Sequence, residues 1–423
     1  MTDPTLAQWL SDLEQRHPVS IELGLERVGA VAERLGLTRA PIAGRVITVA
    51  GTNGKGSTVA MIEGVARAHG LTTAAYTSPH LQRFNERLAL SGRELADESW
   101  VRALETVERA RDETRLTYFE MTTLAALWLI AEQQPALAVL EVGLGGRLDA
   151  VNVIDADVAV ITTIAHDHAA FLGDDLAGIG REKAGIMRAG RPVVLGSRDM
   201  VDSVVQHAEG LPVAGCHRLG REFDCSIDTR MAGWRWQGDA SRPVLADLPD
   251  PGLPLDNAAT ALQALHCAGV PLVQAQVQAA LNGIELPGRM QWHDRWCLDV
   301  AHNPHAALHV AQRLQQRPAV KRLALLGMLA DKDIEGVVSA LAPVVDEWLI
   351  TGLEGPRALS AEQLAERVTR AGGRLREQTD QPAAGVQWLR DHADEYDEAL
   401  ICGSFLTVGA ALAAMVEERE KSA

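Results

Sequence analysis

The stretch Val49-Ala50-Gly51-Thr52-Asn53-Gly54-Lys55-Gly56-Ser57-Thr58 decides how this chain reads. It ends a short β-branched run, residues 45–50 (RVITVA), and opens a helical stretch from about 57 to 69. Glycines let a backbone curl until its N–H groups point inward at an anion, and the N-terminus of the following helix adds partial positive charge. Lys55 brings a full charge for the β- and γ-phosphates of a nucleotide, and Ser57 or Thr58 offers a hydroxyl for Mg²⁺. The strict pattern GxxxxGK[ST] is broken twice: its first glycine would fall at Val49, and Gly56 follows the lysine. The strand–turn–helix setting favours a phosphate-binding turn over an ordinary glycine turn with a solvated lysine.

Outward from that turn, apolar runs alternate with helical stretches. Residues 71–77 (LTTAAYT), 136–142 (ALAVLEV), 157–164 (DVAVITTI) and 191–196 (RPVVLG) read as strands, and 118–132 as a helix. Continuous apolar strands separated by helices predict an α/β fold with a mostly parallel sheet covered on both faces. Residues from about 215 to 250 turn to Trp, Asp, Arg and Gly, and predict a small β excursion. Helical patterning returns at 257–268 and 273–281. Glu285-Leu-Pro-Gly-Arg-Met290 reads as a linker, because Pro and Gly break the helix. Strands then recur at 296–300, 322–326, 347–351 and 399–402, with helices at 304–314 and 361–371. The expected division is a P-loop-type ATPase domain over 1–285 and a smaller Rossmann-like α/β domain over 286–423.

Charge narrows the function classes. The 423 residues carry a net charge of −16, from 40 Lys+Arg against 56 Asp+Glu. That disfavours nucleic acid and anionic membrane surfaces as partners. Anionic small molecules stay open, since a few cations in a cleft act locally when salt screens beyond about 8–10 Å. No apolar run approaches the roughly 20 residues that span a bilayer. The N-terminal MTDPTLAQWLSDLEQRHP is charged throughout and lacks the apolar core of a signal peptide. Five scattered cysteines with no CxxC pair fit reduced thiols in a cytoplasm. No association stripe is evident, so a monomer is expected.

Three further strand ends carry polar residues: Thr77-Ser78-Pro79-His80, Glu141-Val-Gly-Leu-Gly-Gly-Arg147, and His166-Asp167-His168. In an open α/β sheet, ligands bind outside the carboxyl ends of the strands. A hydroxyl, a carboxylate and an imidazole can hold Mg²⁺ beside phosphate oxygens and waters, the imidazole being the unusual member. Each histidine equally reads as one satisfied by backbone groups. Lys183, in Gly-Arg-Glu-Lys-Ala-Gly-Ile, reads on its own as a solvated helical lysine.

Together, GTNGKGS, TSPHL, TYFE, EVGLGGRLDA, the DH of AHDHAAFLG, GREKAGI, LPGR and DVAHNPHA occur in order at consistent spacing. The chain resembles the folylpolyglutamate synthases of the Mur ligase superfamily, especially the bacterial bifunctional dihydrofolate synthase/folylpolyglutamate synthases. The resemblance implies that Asn53, Gly54, Lys55, Gly56 and Ser57 cradle ATP phosphates, and that Asn257, Arg289 and Asp299 contact the nucleotide. It implies a Mg²⁺ held by Ser78, Glu141 and His168, and a second ligated by an N-carboxylated Lys183. Glu22, Leu23 and Gly24 (with Ile21 before them), Thr117, Tyr118, Phe119 and Glu120, and Leu148, Asp149 and Ala150 look like the dihydropteroate-binding segments. His302 and Ser404 are implied at the incoming glutamate. His166 stands where a leucine is common in the family, two residues before His168.

The chemistry implied is amide-bond formation. ATP's γ-phosphoryl passes to a carboxylate, giving an acyl phosphate, and Mg²⁺ and Lys55 neutralise the charge. The amine of L-glutamate then attacks, releasing phosphate and leaving ADP. His302 is a candidate to orient or deprotonate that amine. Closure of two domains would keep water from the acyl phosphate. A cell-wall Mur ligase is a rival, but only about 44 residues precede the first sheet strand, too few for a UDP-binding domain. A monofunctional folylpolyglutamate synthase and a non-ligating regulatory ATPase are two further rivals.

Overall fold

The structure is a computed structural model and describes all residues except 1–3, 17–21, 168–170, 172, 229–232, 240–243, 319, 356 and 423. It divides into two units. The first holds most of the chain up to Ile284; the second is Glu285–Ala423 together with His80–Phe84 and the stretch around Asp167.

The first unit is built on an eight-stranded sheet. Its strands are β1 (Val46–Ala50), β2 (Thr73–Tyr76), β3 (Leu88–Leu90), β4 (Arg93–Glu94), β5 (Leu137–Glu141), β6 (Val158–Ile161), β7 (Pro192–Leu195) and β8 (Gly215–Arg218), in the order β4-β3-β2-β5-β1-β6-β7-β8. All pairs are parallel except β2–β3 and β3–β4. The central strands β1, β5 and β6 are buried along their whole length, as their unbroken apolar sequences require. β1 lies between β5 and β6, while the chain leaves it for β2 on the far side of β5. The crevice beyond β1 is therefore the switch point where such sheets bind ligands. The helix Lys55–Ala68 starts there and packs against β5 and the helix Leu255–Cys267.

Two details depart from the sequence expectation. A hairpin, β3–β4, closes one edge of the sheet; Ser91 and Gly92 turn it with φ of 47° and 74°, the left-handed pair of a two-residue turn. Residues 215–218 are the last parallel strand of the main sheet, so the β excursion starts later. It is a three-stranded antiparallel sheet of β9 (Asp224–Asp228), β10 (Gly233–Gln237) and β11 (Val244–Leu248). In β10, Trp234 and Trp236 are buried while Arg235 and Gln237 face out, the period-2 alternation of a half-covered sheet.

The second unit is a six-stranded sheet of β12 (Gln291–His293), β13 (Trp296–Asp299), β14 (Arg322–Leu326), β15 (Glu347–Thr351), β16 (Leu375–Thr379) and β17 (Glu398–Cys402), ordered β12-β13-β17-β14-β15-β16. Only β12 runs antiparallel to its neighbour. Alternate residues feed two cores. Cys297, Ala324, Leu326, Trp348, Ile350 and Leu400 enter one; Leu298, Leu323, Leu325, Leu349 and Ile401 enter the other. Each large apolar side chain fully buried there contributes roughly 1.5–3 kcal/mol. Among the described residues, no helix is long and apolar enough to cross a membrane.

Candidate active site

The glycine turn after β1 is tied by hydrogen bonds to the end of the strand beside it. Gly51 has φ of 152°, and a Cβ there would sit 1.9 Å from Thr162 Oγ1. Just past β6, Thr162 Oγ1 donates to the Asn53 carbonyl at 2.6 Å, and Asn53 N–H donates to Thr163 Oγ1 at 3.1 Å. Thr52 N–H reaches the Thr163 carbonyl at 2.7 Å. Gly54 takes φ of 85° at the N-cap of the Lys55–Ala68 helix. A Cβ on Gly54 would lie 2.8 Å from the amide of Asn257, which is buried on the Leu255–Cys267 helix. Lys55 Nζ donates to the carbonyls of Gly51 and Thr52 at 3.1 and 3.3 Å. Its charge therefore stays within the turn. Ser57 is buried, and Thr58 Oγ1 donates back to the Gly54 carbonyl at 2.8 Å.

The neighbouring strand end supplies a carboxylate. Glu141, the last residue of β5, pairs in register with Val49 of β1 and is buried. Its Oε2 accepts the Ser78 N–H at 3.3 Å, and lies 3.8 Å from where a Cβ on Gly56 would be. A carboxylate and a hydroxyl-bearing residue meeting beside a phosphate turn are hard oxygen donors, the set a Mg²⁺ ion takes. The site fits such an ion. His168 lies outside the described residues; His166 is exposed. Lys183 is buried near the end of the helix Leu176–Ala184. The Gly-Leu-Gly-Gly-Arg turn after β5 packs onto that helix end: a Cβ on Gly146 would sit 3.0 Å from Lys183 Cα, and Arg147 N–H donates to the Glu182 carbonyl at 2.8 Å.

The three other segments singled out in the first unit are tied together. Thr117 and Glu120 form a capping box on the helix Tyr118–Gln133, with Thr117 N–H donating to Glu120 Oε2 at 2.7 Å. Glu120 Oε1 accepts from Arg27 at 2.8 Å, and Arg27 also pairs with the exposed Glu22 at 2.5 Å. Gly24 N–H donates to the Leu148 carbonyl at 3.3 Å. Leu23 is half-buried beside them in sequence; Ile21 lies outside the described residues. The Phe119 ring fills the space a side chain on Gly143 would need. Burial pushes the Tyr118 phenol up to about 12, against the Arg87 guanidinium, which lies 5.7 Å from its ring. Asp149 is buried beside Ala150 and accepts N–H groups from Leu144 at 2.8 Å and Val151 at 3.0 Å. Burial pushes its carboxyl up to about 6, although these N–H groups and the Lys55 charge favour the anion. Both its oxygens are engaged in shaping the turn.

In the second unit, Asp299 ends β13. Its Oδ2 accepts Met290 N–H at 2.9 Å and its Oδ1 accepts Ala301 N–H at 2.8 Å. Burial raises its carboxyl, opposed by the Arg289 charge. The Leu-Pro-Gly-Arg stretch is thus pinned to the strand end. The Arg289 guanidinium lies 5.0 Å from the Phe405 ring centre, and the His302 ring 6.4 Å from it. His302 Nδ1 contacts the Val300 carbonyl at 2.9 Å, and Nε2 contacts Asp167 Oδ2 at 3.2 Å. Both partners are acceptors, so both contacts are made at once only when both ring nitrogens carry hydrogen. Asp167 is also paired with the buried Lys332 at 2.5 Å. Ser404 is buried; its Oγ accepts Thr407 N–H at 3.0 Å and caps the helix Phe405–Ser422.

The same architecture occurs in known proteins. Residues 49–210 match the Mur ligase middle domain, and residues 288–405 match the Mur ligase glutamate ligase domain. The dihydrofolate synthase/folylpolyglutamate synthase of Escherichia coli K12 is 43% identical over 95% of this chain and 94% of its own length. The structure of Escherichia coli FolC in complex with DHPP and ADP superposes with a TM-score of 0.93 at 42% identity, covering 98% of this chain and 99% of that one. A bifunctional folylpolyglutamate synthase/dihydrofolate synthase solved with Mn, AMPPNP and L-glutamate gives a TM-score of 0.90 at 43% identity, covering 98% of each chain.

The chain belongs to the dihydrofolate synthase/folylpolyglutamate synthase family of Mur ligases.

As a member of that family it is an ATP-dependent ligase of α/β, Mur ligase fold. Within the first unit the fold brings Asn53, Gly54, Lys55, Gly56, Ser57 and Asn257 to one turn, with Glu141 and Ser78 at its side. Arg289, Asp299, His302 and Ser404 belong to the second unit. Sequence reasoning missed Thr162 and Thr163, which it placed inside a strand, and Arg27, Phe405 and Lys332. Lys332 carries a faint signal, standing between two aspartates shortly after a buried strand.

Proposed function

We propose that this ligase joins L-glutamate both to the carboxylate of 7,8-dihydropteroate and to the γ-carboxylate of reduced folates, using ATP and releasing ADP and phosphate. The observation that carries the reading is the buried Glu141 carboxylate set against Gly56 of the phosphate turn, in a chain of this family. It supplies the anion that a nucleotide-bound cation needs, beside the cationic turn that the phosphates need.

The turn N–H groups and the helix N-terminus bind the β- and γ-phosphates. Lys55 exchanges the Gly51 and Thr52 carbonyls for phosphate oxygens and offsets the charge that spreads over the transferred phosphoryl. The acceptor carboxylate forms an O–P bond as the bond to ADP breaks. Ser78, Glu141 and His168 would hold one Mg²⁺ and an N-carboxylated Lys183 a second; when bound, these ions neutralise phosphate charge. Arg289 and Asp299 are assigned to the nucleotide, Asp299 by fixing the backbone that carries Arg289.

The glutamate amine then attacks the carbonyl carbon of the acyl phosphate, the bond from that carbon to the phosphate oxygen breaks, phosphate leaves, and the amine's proton passes to solvent. His302 is an orienting group here, since both of its ring nitrogens already face acceptors. Ser404 sets the start of the helix beside which glutamate is bound. Glu22, Leu23 and Gly24, with residues 117–120 and 148–150, line the pteroate site. The protein works on small molecules as a monomer, and its five cysteines, which form no disulfide, fit a reducing cytoplasm.

Lys55→Ala tests the phosphate turn. ADP release in the presence of glutamate and either acceptor should fall by roughly 10² to 10³ with the melting temperature retained. Turnover near wild type would remove the turn from the mechanism. ADP release independent of any acceptor would instead indicate a non-ligating ATPase.

A further inference from the structure

A second corner of the first unit gathers metal-ligating side chains that the ligase chemistry does not use. His217 lies on β8, Asp239 follows β10, and Cys267 ends the helix Leu255–Cys267. One ligand atom from each lies within 4.8 Å of the other two. His217 Nδ1 is 3.1 Å from Asp239 Oδ2, and His266 Nε2 is 3.4 Å from Asp239 Oδ1. Metal–ligand bonds of about 2.0–2.3 Å place the donors of one tetrahedron about 3–4 Å apart. The cluster needs little adjustment to close around an ion.

An independent feature marks the same corner. Among the described residues, buried polar side-chain atoms without a hydrogen-bond partner include His217 Nδ1, Gln263 Oε1 and Trp236 Nε1. All three belong here: Trp236 meets the His266 ring edge-on at 6.3 Å, and the fully buried Gln263 donates weakly to Asp239 Oδ2 at 3.4 Å and to Cys267 Sγ at 3.5 Å. A buried imidazole nitrogen that lies beside a carboxylate without a well-formed hydrogen bond carries an uncompensated desolvation cost. A cation would satisfy it, and Gln263 would then orient two of the ligands from behind.

We propose that His217, Asp239 and Cys267 form a site for a borderline-soft divalent cation of the Zn²⁺ class, with His266 holding the second oxygen of Asp239. The donor set of imidazole, carboxylate and thiolate separates it from the oxygen donors beside the phosphate turn. Burial lowers the His217 pKa, so the imidazole is neutral and able to donate its lone pair. Burial also pushes the Cys267 thiol up to about 11. Binding therefore breaks the S–H bond, releases that proton to solvent and forms a sulfur–metal bond, one proton per ion.

The test is Co²⁺ titration of the metal-stripped full-length protein in excess Mg²⁺. The wild type should take up one equivalent with a thiolate-to-cobalt charge-transfer band, which Zn²⁺ then bleaches. Cys267→Ser and Cys267→Ala should abolish the band, and Cys225→Ser should leave it intact. His217→Gln and Asp239→Asn should weaken binding by roughly tenfold or more. ADP release with Mg²⁺ should stay unchanged in all of these variants. Absence of the band in the wild type, or its survival in a folded Cys267 variant, overturns the proposal.

Discussion

The amide of Asn257 occupies the space that a side chain on Gly54 would need. Its Nδ2 and Oδ1 both lie 2.8 Å from the position of a Cβ on Gly54, whose φ is 85°. Residues 203 positions apart in the chain thus shape one glycine turn, the one proposed to bind phosphate. Gly54→Ala adds both a clash and a left-handed backbone that alanine resists. The expected outcome is loss of ATP binding, read by calorimetry, with circular dichroism unchanged. Binding of ATP at wild-type affinity would contradict the geometry.

Lys183 should prove indispensable for its modified form. Lys183→Ala is expected to lose ligation by more than roughly 10², with part of the rate restored by added short carboxylic acids. Electron density at Nζ in a crystal of active enzyme checks the modification directly. An unmodified amine there would count against an N-carboxylated ligand.

Asp149 makes stability depend on pH in a definite direction. Its folded carboxyl titrates at about 6, above the ordinary value of 3.8. The folded state therefore binds the proton more tightly, and the stability this adds is present below pH 3.8 and lost as pH rises through about 6. Urea unfolding of wild type and Asp149→Asn across this window should show the wild type losing up to about 3 kcal/mol relative to the variant. Parallel pH profiles would refute the assignment.

Asp299→Ala should loosen the stretch that carries Arg289. Two backbone donors, Met290 N–H and Ala301 N–H, would lose their acceptor, at about 1–3 kcal/mol for each one left buried. ATP affinity is expected to fall more than dihydropteroate affinity when both are measured by fluorescence titration. The reverse order would remove Arg289 and Asp299 from the nucleotide site.

Much of the fold and the strand–turn–helix setting of the glycine turn are legible in the sequence, because the informative signals are local. The turn sits between a β-branched strand and a helix, and Glu141 ends an apolar run whose burial is unmistakable. The β3–β4 hairpin is not legible: strands of three and two residues carry no period. Nor is the setting of His302, since Asp167 and Lys332 pair across 165 residues. The cluster of His217, Asp239 and Cys267 comes from one strand, the stretch after β10 and one helix, with no motif spacing, so only the packing of the Leu255–Cys267 helix reveals it. Asp149, Asp299 and Ser404 stand out as polar residues at strand and turn ends. That each spends its oxygens on backbone N–H groups emerges only in three dimensions.

The most direct test is mass-spectrometric analysis of products formed by one purified protein from ATP, Mg²⁺ and L-glutamate. Two acceptors are compared, dihydropteroate and tetrahydrofolate. The expected result is a single glutamyl addition to dihydropteroate and tail extension of tetrahydrofolate, each with one ADP per bond formed. Extension of tetrahydrofolate alone would remove the pteroate site, and no product from either acceptor would contradict the proposed ligase activity itself.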